Sequence, residues 1–301
     1  MMMRRYLQLI LRLCSGTRLT TYDLQLTTYD LQLTTYNLQL TTYDLQLTTK
    51  TSMTKYIKYI KRKWANVSFA RHITVRLDRC VVTFTFDDVP VSAFENGRAI
   101  LTRYGFMGTF YLALSFMDGR EAENRFTLQD MKKALIEQHE LACHTRGHID
   151  LSQTRFEDSV RDIEQNQEQL MDLLPGNRFK NFSYPFGAQT RAVKKYLSEH
   201  YRSARGIGHG LNVGETDLYN LKTVKLYENR MPLEEIFRLM DEAAEQRAWL
   251  VFYTHDVADE PSEYGCSPAY FEAVVAECAR RQLDVLTVDK ALDLIESKQD
   301  V

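Results

Sequence analysis

After Arg79, short runs rich in β-branched and aromatic residues alternate with stretches of helical period, and this alternation most constrains the fold. Strand-like runs fall at 80–86, 109–114, 140–143, 181–184, 221–226, 249–254 and 283–288, and a further strand is expected around 204–207. Helical stretches fall at 92–104, 128–138, 156–174, 190–199, 233–246, 268–281 and 289–297. The helix at 156–174 places Phe156, Val160, Ile163, Leu170 and Leu174 on one stripe and stops before Pro175-Gly176. Strands alternating with helices predict a parallel sheet in an α/β fold. For a segment of this length, a single β/α barrel is the most economical closure.

The rest of the 301-residue chain reads differently. From Leu19 to Gln46 the unit Leu-Thr-Thr-Tyr-Asp-Leu-Gln occurs four times, with Asn37 the one departure. Its apolar positions do not form a coiled-coil seam, and the paired threonines are poor helix formers. A strand fares no better, because an odd period turns the apolar face over with each repeat. Residues 1–52 are therefore expected to be a non-globular extension, either disordered or lying ahead of a natural start at Met53. Residues 53–79 form a basic lead-in. Its run at 55–63 interleaves Lys55, Lys58, Lys61, Arg62 and Lys63 with tyrosine and isoleucine and reads as a solvated approach to the first strand. The catalytic domain is expected at 80–297.

Charge and cysteine content exclude several partners. Residues 1–79 hold 13 basic against four acidic residues, while the remainder holds 25 against 36, so the main body offers no broad basic face to nucleic acid. Five cysteines, none in a C-x-x-C pair, argue against a disulfide framework and a zinc ribbon, and point to a reducing compartment. No stretch is apolar enough for an integral membrane span. Arg4 and Arg5 precede a short apolar run, but Gln8 and Arg12 break it and no A-x-A-like cleavage site follows. A cytoplasmic location is the expectation.

The chemistry-bearing residues fall directly after predicted strands. Asp87 and Asp88 follow the first and His144-Thr145-Arg146-Gly147-His148 the third; Tyr184-Pro185-Phe186-Gly187 follows the fourth and His255 the run at 249–254. In a barrel these are the C-terminal strand ends, where active sites sit. Each feature alone has an ordinary structural reading: a helix cap for the aspartates, a chance spacing for the histidines. Four in chain order make a site. Gly147 favours a loop over a helix between the two histidines, and a loop can still bring both imidazoles to one ion. Two imidazoles and a carboxylate suit zinc with an open position for water. The other of Asp87 and Asp88 can then take the proton of that water.

Together these motifs, with Thr85-Phe86 before the aspartates and Tyr253-Thr254 before His255, resemble those of the polysaccharide deacetylases, the NodB-homology or carbohydrate esterase family 4 proteins. The resemblance implies a distorted (β/α) barrel of about seven strands. It implies Asp87 as general base, Asp88, His144 and His148 as metal ligands, and His255 as the acid that protonates the leaving amine. It also implies that the Phe186 N–H helps stabilise the oxyanion, with Tyr184, Pro185, Phe186, Arg205 and Tyr253 around the substrate. The cofactor would be one divalent ion, zinc before manganese or cobalt, and the substrate an N-acylated saccharide.

Three departures from the family pattern stand out. Ser183 occupies the position where the family usually has an arginine bonded to the catalytic aspartate; Arg205, or Arg146, is the candidate replacement. Tyr253 stands where the family commonly has a leucine beside the acetyl group, which leaves formyl or a non-sugar amide as an alternative. No aspartate and tryptophan motif is found, so the partner of His255 is unassigned; Ser183 also leaves a catalytically dead carbohydrate-binding protein on the same fold as an alternative. Phe84, Phe110, Tyr111 and Phe252 are read as core, and 256–268 as a loop at the mouth.

Overall fold

The computed structural model describes residues 71–117 and 125–298; the repeats of 1–52 and the basic run at 55–63 lie outside the described residues. In chain order the strands are β1 His72–Val75, β2 Val81–Asp87, β3 Thr109–Leu112, β4 Glu140–Cys143, β5 Asn181–Ser183, β6 Ser203–His209, β7 Gly214–Asp217, β8 Leu221–Lys225, β9 Trp249–Thr254 and β10 Asp284–Val285. Between them lie a π-helical turn Ala93–Arg98 running into α1 Ala99–Arg103, then α2 Leu128–Ile136, α3 Phe156–Leu173, α4 Arg191–His200, α5 Leu233–Gln246, α6 Pro268–Arg280 and α7 Val288–Glu296.

Strands β2, β3, β4, β5, β6, β8 and β9 pair in that order, all parallel, and β9 returns to β2 over Val81↔Trp249 to Phe86↔Thr254. The result is a closed seven-stranded barrel, as the resemblance implied. The expected strand at 283–288 is only two residues long: Asp284 and Val285 pair with Val81 and Val82, on the stretch of β2 that precedes its pairing with β3. Two strands were not expected from the sequence. β1, inside the stretch read as a lead-in, and β7 form a separate antiparallel pair.

Alternation along β2 shows which side faces the barrel axis. Phe84 packs on Phe252 and on Phe271 of α6, with ring centroids 5.5 and 5.4 Å apart, so Val82, Phe84 and Phe86 face the helices. Thr83, Thr85 and Asp87 therefore point inward, and Thr83 takes the Trp249 indole N–H at 2.8 Å. Phe84, Phe110, Tyr111 and Phe252 are all buried, in agreement with the core reading. The α3 stripe differs from expectation. Its buried residues are Ser159, Ile163, Asn166 and Leu170, while Phe156 is exposed. Asn166 belongs to that stripe because its amide satisfies the end of β3, donating to Leu112 O and accepting from Leu114 N. A polar residue with this task carries no hydrophobic signal. No helix among the described residues is long and apolar enough to cross a membrane.

Candidate active site

The chain leaves β2 in a strained turn: Asp88 and Val89 both have positive φ, 56° and 40°. Such angles are costly, for a β-branched valine above all, and persist where the surroundings over-determine them. Thr145, His148 and Phe186 have positive φ as well, so five of the eight such non-glycine residues recorded cluster at this end of the barrel. The 144–148 segment is a loop, as Gly147 suggested. Asp162 of α3 secures it by accepting from the backbone N–H groups of Arg146 and Gly147 at 2.7 and 3.1 Å.

This turn and loop bring three side chains together. His144 Nε2 lies 3.3 Å and His148 Nε2 2.9 Å from Asp88 Oδ1. Despite that proximity, Asp88 Oδ1 is buried without a hydrogen-bond partner. His144 Nδ1 lies 2.8 Å from the Ser183 carbonyl, which can only accept, so the neutral ring carries its proton on Nδ1 and turns the Nε2 lone pair toward Asp88. A carboxylate and two imidazoles converging with lone pairs inward fit a divalent ion, and a carbonyl behind one histidine is the usual way its ligating tautomer is fixed.

Asp87 faces the barrel axis and is 4% exposed. Its partner is Arg205, 1% exposed on β6, whose guanidinium pairs with Asp87 Oδ1 and donates to Ser183 Oγ at 2.6 Å. Ser183 and Arg205 are register partners on adjacent strands. The guanidinium missing from position 183 thus arrives from the neighbouring strand at the same level. It lies between the rings of Tyr111 and Tyr253, 4.9 and 5.1 Å from their centroids. Burial pushes the Asp87 carboxyl up, but Arg205, with His144 and His255, outweighs that and holds it below the usual carboxylate range. Arg146, the other candidate, bonds Gln169 of α3 instead.

His255 completes the group, its Nε2 3.9 Å from Asp88 Oδ2. Its Nδ1 lies 3.2 Å from the carbonyl of Tyr264, so the unassigned partner is a backbone oxygen on the mouth loop. Phe186 is 56% exposed with its ring 4.5 Å from that of His148, and Tyr253 packs against Tyr227 in the wall beside Arg205. Tyr184 is turned away. It is 1% exposed and its hydroxyl donates to Tyr219 O; Pro185 is likewise buried, in the turn that carries Phe186. Sequence reasoning missed Asp162, Tyr227 and Tyr264. Tyr227 lies two residues past the end of β8, a position that could have singled it out, whereas Asp162 is one acid among many on an exposed helix.

Residues 74–202 match the family model described as polysaccharide deacetylase. No curated protein matches the chain. Among solved structures the chain is similar to peptidoglycan deacetylase PdaC from Bacillus subtilis, at 14% identity and a TM-score of 0.52, over 75% of this chain and 96% of that one. It is similar to the Xyl-CE4 domain of a multidomain xylanase from the hindgut metagenome of Trinervitermes trinervoides, at 16% identity and a TM-score of 0.51, over 72% and 91%. It is also similar to BA3943, a CE4 family pseudoenzyme from Bacillus anthracis, at 13% identity and a TM-score of 0.52, over 73% and 67%. At these identities the likeness shows the fold.

Proposed function

From the match of residues 74–202 to the polysaccharide deacetylase model, we propose that the chain is a member of that family, a metal-dependent hydrolase removing an acetyl or similar small acyl group from an N-acylated sugar or polysaccharide. The observation that carries this reading is the meeting of His144 and His148 on the orphaned Asp88 oxygen, with His255 3.9 Å from the other Asp88 oxygen and Asp87 the residue before Asp88. A dead carbohydrate-binding protein needs neither a charged, buried base nor an imidazole beside it.

A divalent ion held by Asp88, His144 and His148, zinc before manganese or cobalt, would polarise the amide carbonyl and supply water of lowered pKa. Asp87, kept ionised by Arg205, accepts the proton of the attacking water. The Phe186 N–H donates to the oxygen that becomes negative as the carbonyl carbon turns tetrahedral. His255 delivers a proton to the departing nitrogen, and the amine leaves with the carboxylic acid as second product. Tyr253, 8% exposed between Tyr227 and Arg205, supports a second reading in which the acyl group is formyl or the amide is not on a sugar. Among the described residues Cys80, Cys143, Cys266 and Cys278 are buried free thiols, which supports a reducing compartment.

The test is a screen of N-acetylated and N-formylated glycans that follows released acid, with zinc or manganese added after chelation. Metal-restored release of acetate or formate supports the proposal, and the acid released identifies the acyl group. No release from any substrate by a metal-loaded protein would return the chain to the binding reading.

A further inference from the structure

Among the described residues, no carboxylate is paired with Nδ1 of His255. Among the described residues its recorded ion-pair contact runs through Nε2 to Asp88, and Nδ1 meets the Tyr264 carbonyl. That carbonyl also accepts from the His255 backbone N–H at 3.2 Å, and the Thr254 hydroxyl lies 3.4 Å from it. The tautomer and aim of the imidazole therefore depend on where a loop holds one peptide group.

We propose that Asp256 is a positioning residue for His255: by closing the 256–265 loop it presents the Tyr264 carbonyl to Nδ1, which keeps the proton there and turns Nε2 toward Asp88. The inference rests on the reading of His255 as the proton donor.

Three observations connect Asp256 to Tyr264. The Asp256 carboxylate is 9% exposed and takes both hydrogen bonds that Ser262 offers, from its N–H to Oδ2 at 2.7 Å and from its hydroxyl to Oδ1 at 2.5 Å. Ser262 Oγ in turn accepts from the Tyr264 N–H at 3.2 Å, so the carboxylate is linked to the peptide that carries the carbonyl. Gly265 lies directly against the carboxylate. A Cβ there would come within 2.3 Å of Asp256 Oδ1, so the loop closes in this form only over a glycine. On the outer side, the Tyr264 ring rests near Arg230, 5.8 Å from its guanidinium carbon, and Arg230 pairs with Glu263. Asp256 sets the loop from within and Arg230 from without.

An aspartate suits this task better than its neutral analogue. The carboxylate accepts from both donors of Ser262, whereas an amide accepts from one and would have to donate to the hydroxyl oxygen that also takes the Tyr264 N–H. Asp256→Asn should therefore keep part of the clamp and Asp256→Ala none. Gly265→Ala breaks it from the opposite side, by driving a Cβ against a carboxylate whose own chemistry is unchanged.

The decisive measurement is nitrogen NMR of the full chain labelled with ¹⁵N-histidine, at a pH where the ring is neutral, with His255→Gln identifying the His255 signals. Wild type should carry the proton on Nδ1. Asp256→Ala and Gly265→Ala should both move it toward Nε2, the form an unconstrained histidine side chain prefers. In the same variants kcat should fall about tenfold or more with KM within about twofold, Asp256→Asn being intermediate, because proton transfer is lost and substrate contacts are not. Nδ1–H signals retained in both Asp256→Ala and Gly265→Ala, or a moved proton with kcat unchanged, would overturn the proposal. A wild-type protein inactive on every acylated substrate would count against the deacylase reading alone, since the NMR result stands without turnover.

Discussion

The two ends of the barrel interior are both polar, and they treat polarity in opposite ways. At the N-terminal end Glu140 is half-buried, and each of its oxygens is served: Oε1 by Asn181 Nδ2 at 2.6 Å, Oε2 by Thr109 Oγ1 at 2.8 Å and the Asp289 N–H at 3.0 Å. Ser203 Oγ completes the set by donating to Asn181 Oδ1. At the C-terminal end Asp88 Oδ1 has two imidazole nitrogens beside it and no hydrogen bond, and the backbone around it is strained. Burying polar groups is tolerable when they are paired and costly when they are not. The lower network has settled that cost internally and can only hold the barrel together. The upper one leaves it unsettled, in the form a cation would resolve.

Substitutions at the upper end give the largest effect expected. His148→Ala and Asp88→Ala should abolish metal binding and activity together while the protein stays folded, because the barrel core lies elsewhere. Metal content by atomic emission beside a thermal melt is the check; full metal occupancy in both variants would remove the contrast between the ends.

Arg205 comes next. Arg205→Ala leaves Asp87 buried without its cation, and kcat should fall by about 10² or more, within the range of a misplaced general base. Adding Ser183→Arg should restore part of the rate, since positions 183 and 205 are register partners. Steady-state kinetics of the single and double variants decide this, and a double variant no better than Arg205→Ala would show that level alone does not define the role.

At the lower end the effect should be on stability alone. Glu140→Ala strands the Asn181, Thr109 and Asp289 donors and should cost about 3 kcal/mol in urea unfolding, with metal affinity unchanged. A loss of metal in that variant would mean that the two ends are coupled.

The smallest effect belongs to His139. Its Nδ1 accepts the Gly108 N–H at 2.9 Å, and burial, opposed by Glu137, pushes its pKa down to about 4. The folded pKa lies below the ordinary value near 6.5, so the unfolded chain binds the proton first. Stability from this site is complete above about pH 6.5 and is lost as pH falls through about 4, by at most roughly 3 kcal/mol. Urea midpoints against pH should slope less between those limits in His139→Gln than in wild type; parallel curves would remove His139 from the account.

How much of this was legible in the sequence follows from the kind of signal each part leaves. The barrel was legible because β-branched runs such as 81–86 and apolar-periodic helices such as 233–246 state their period directly. Asp87, Asp88, His144 and His255 were legible because they stand at or just past a strand end, and His148 because of its spacing from His144. Arg205 could be named as a candidate but not placed, since nothing in one dimension says that two residues on adjacent strands share a level. The Tyr264 carbonyl was invisible. A backbone oxygen has no letter, and its position depends on a loop closed by Asp256, Ser262 and Gly265. β1 and β7 were missed because four-residue strands that pair far apart in sequence carry too short a period to register.

The seam between β2 and β9 has a consequence for the order of assembly. β2, which ends in Asp87, must wait for β9 to emerge before Val81 can meet Trp249, and this long-range pairing makes ring closure a slow step. Asp88, His144 and His148 all lie upstream of that closure, whereas His255 arrives on the strand that completes it. During synthesis the groups proposed to hold an ion therefore emerge before the proposed proton donor, and the site is complete only once β9 has closed the ring.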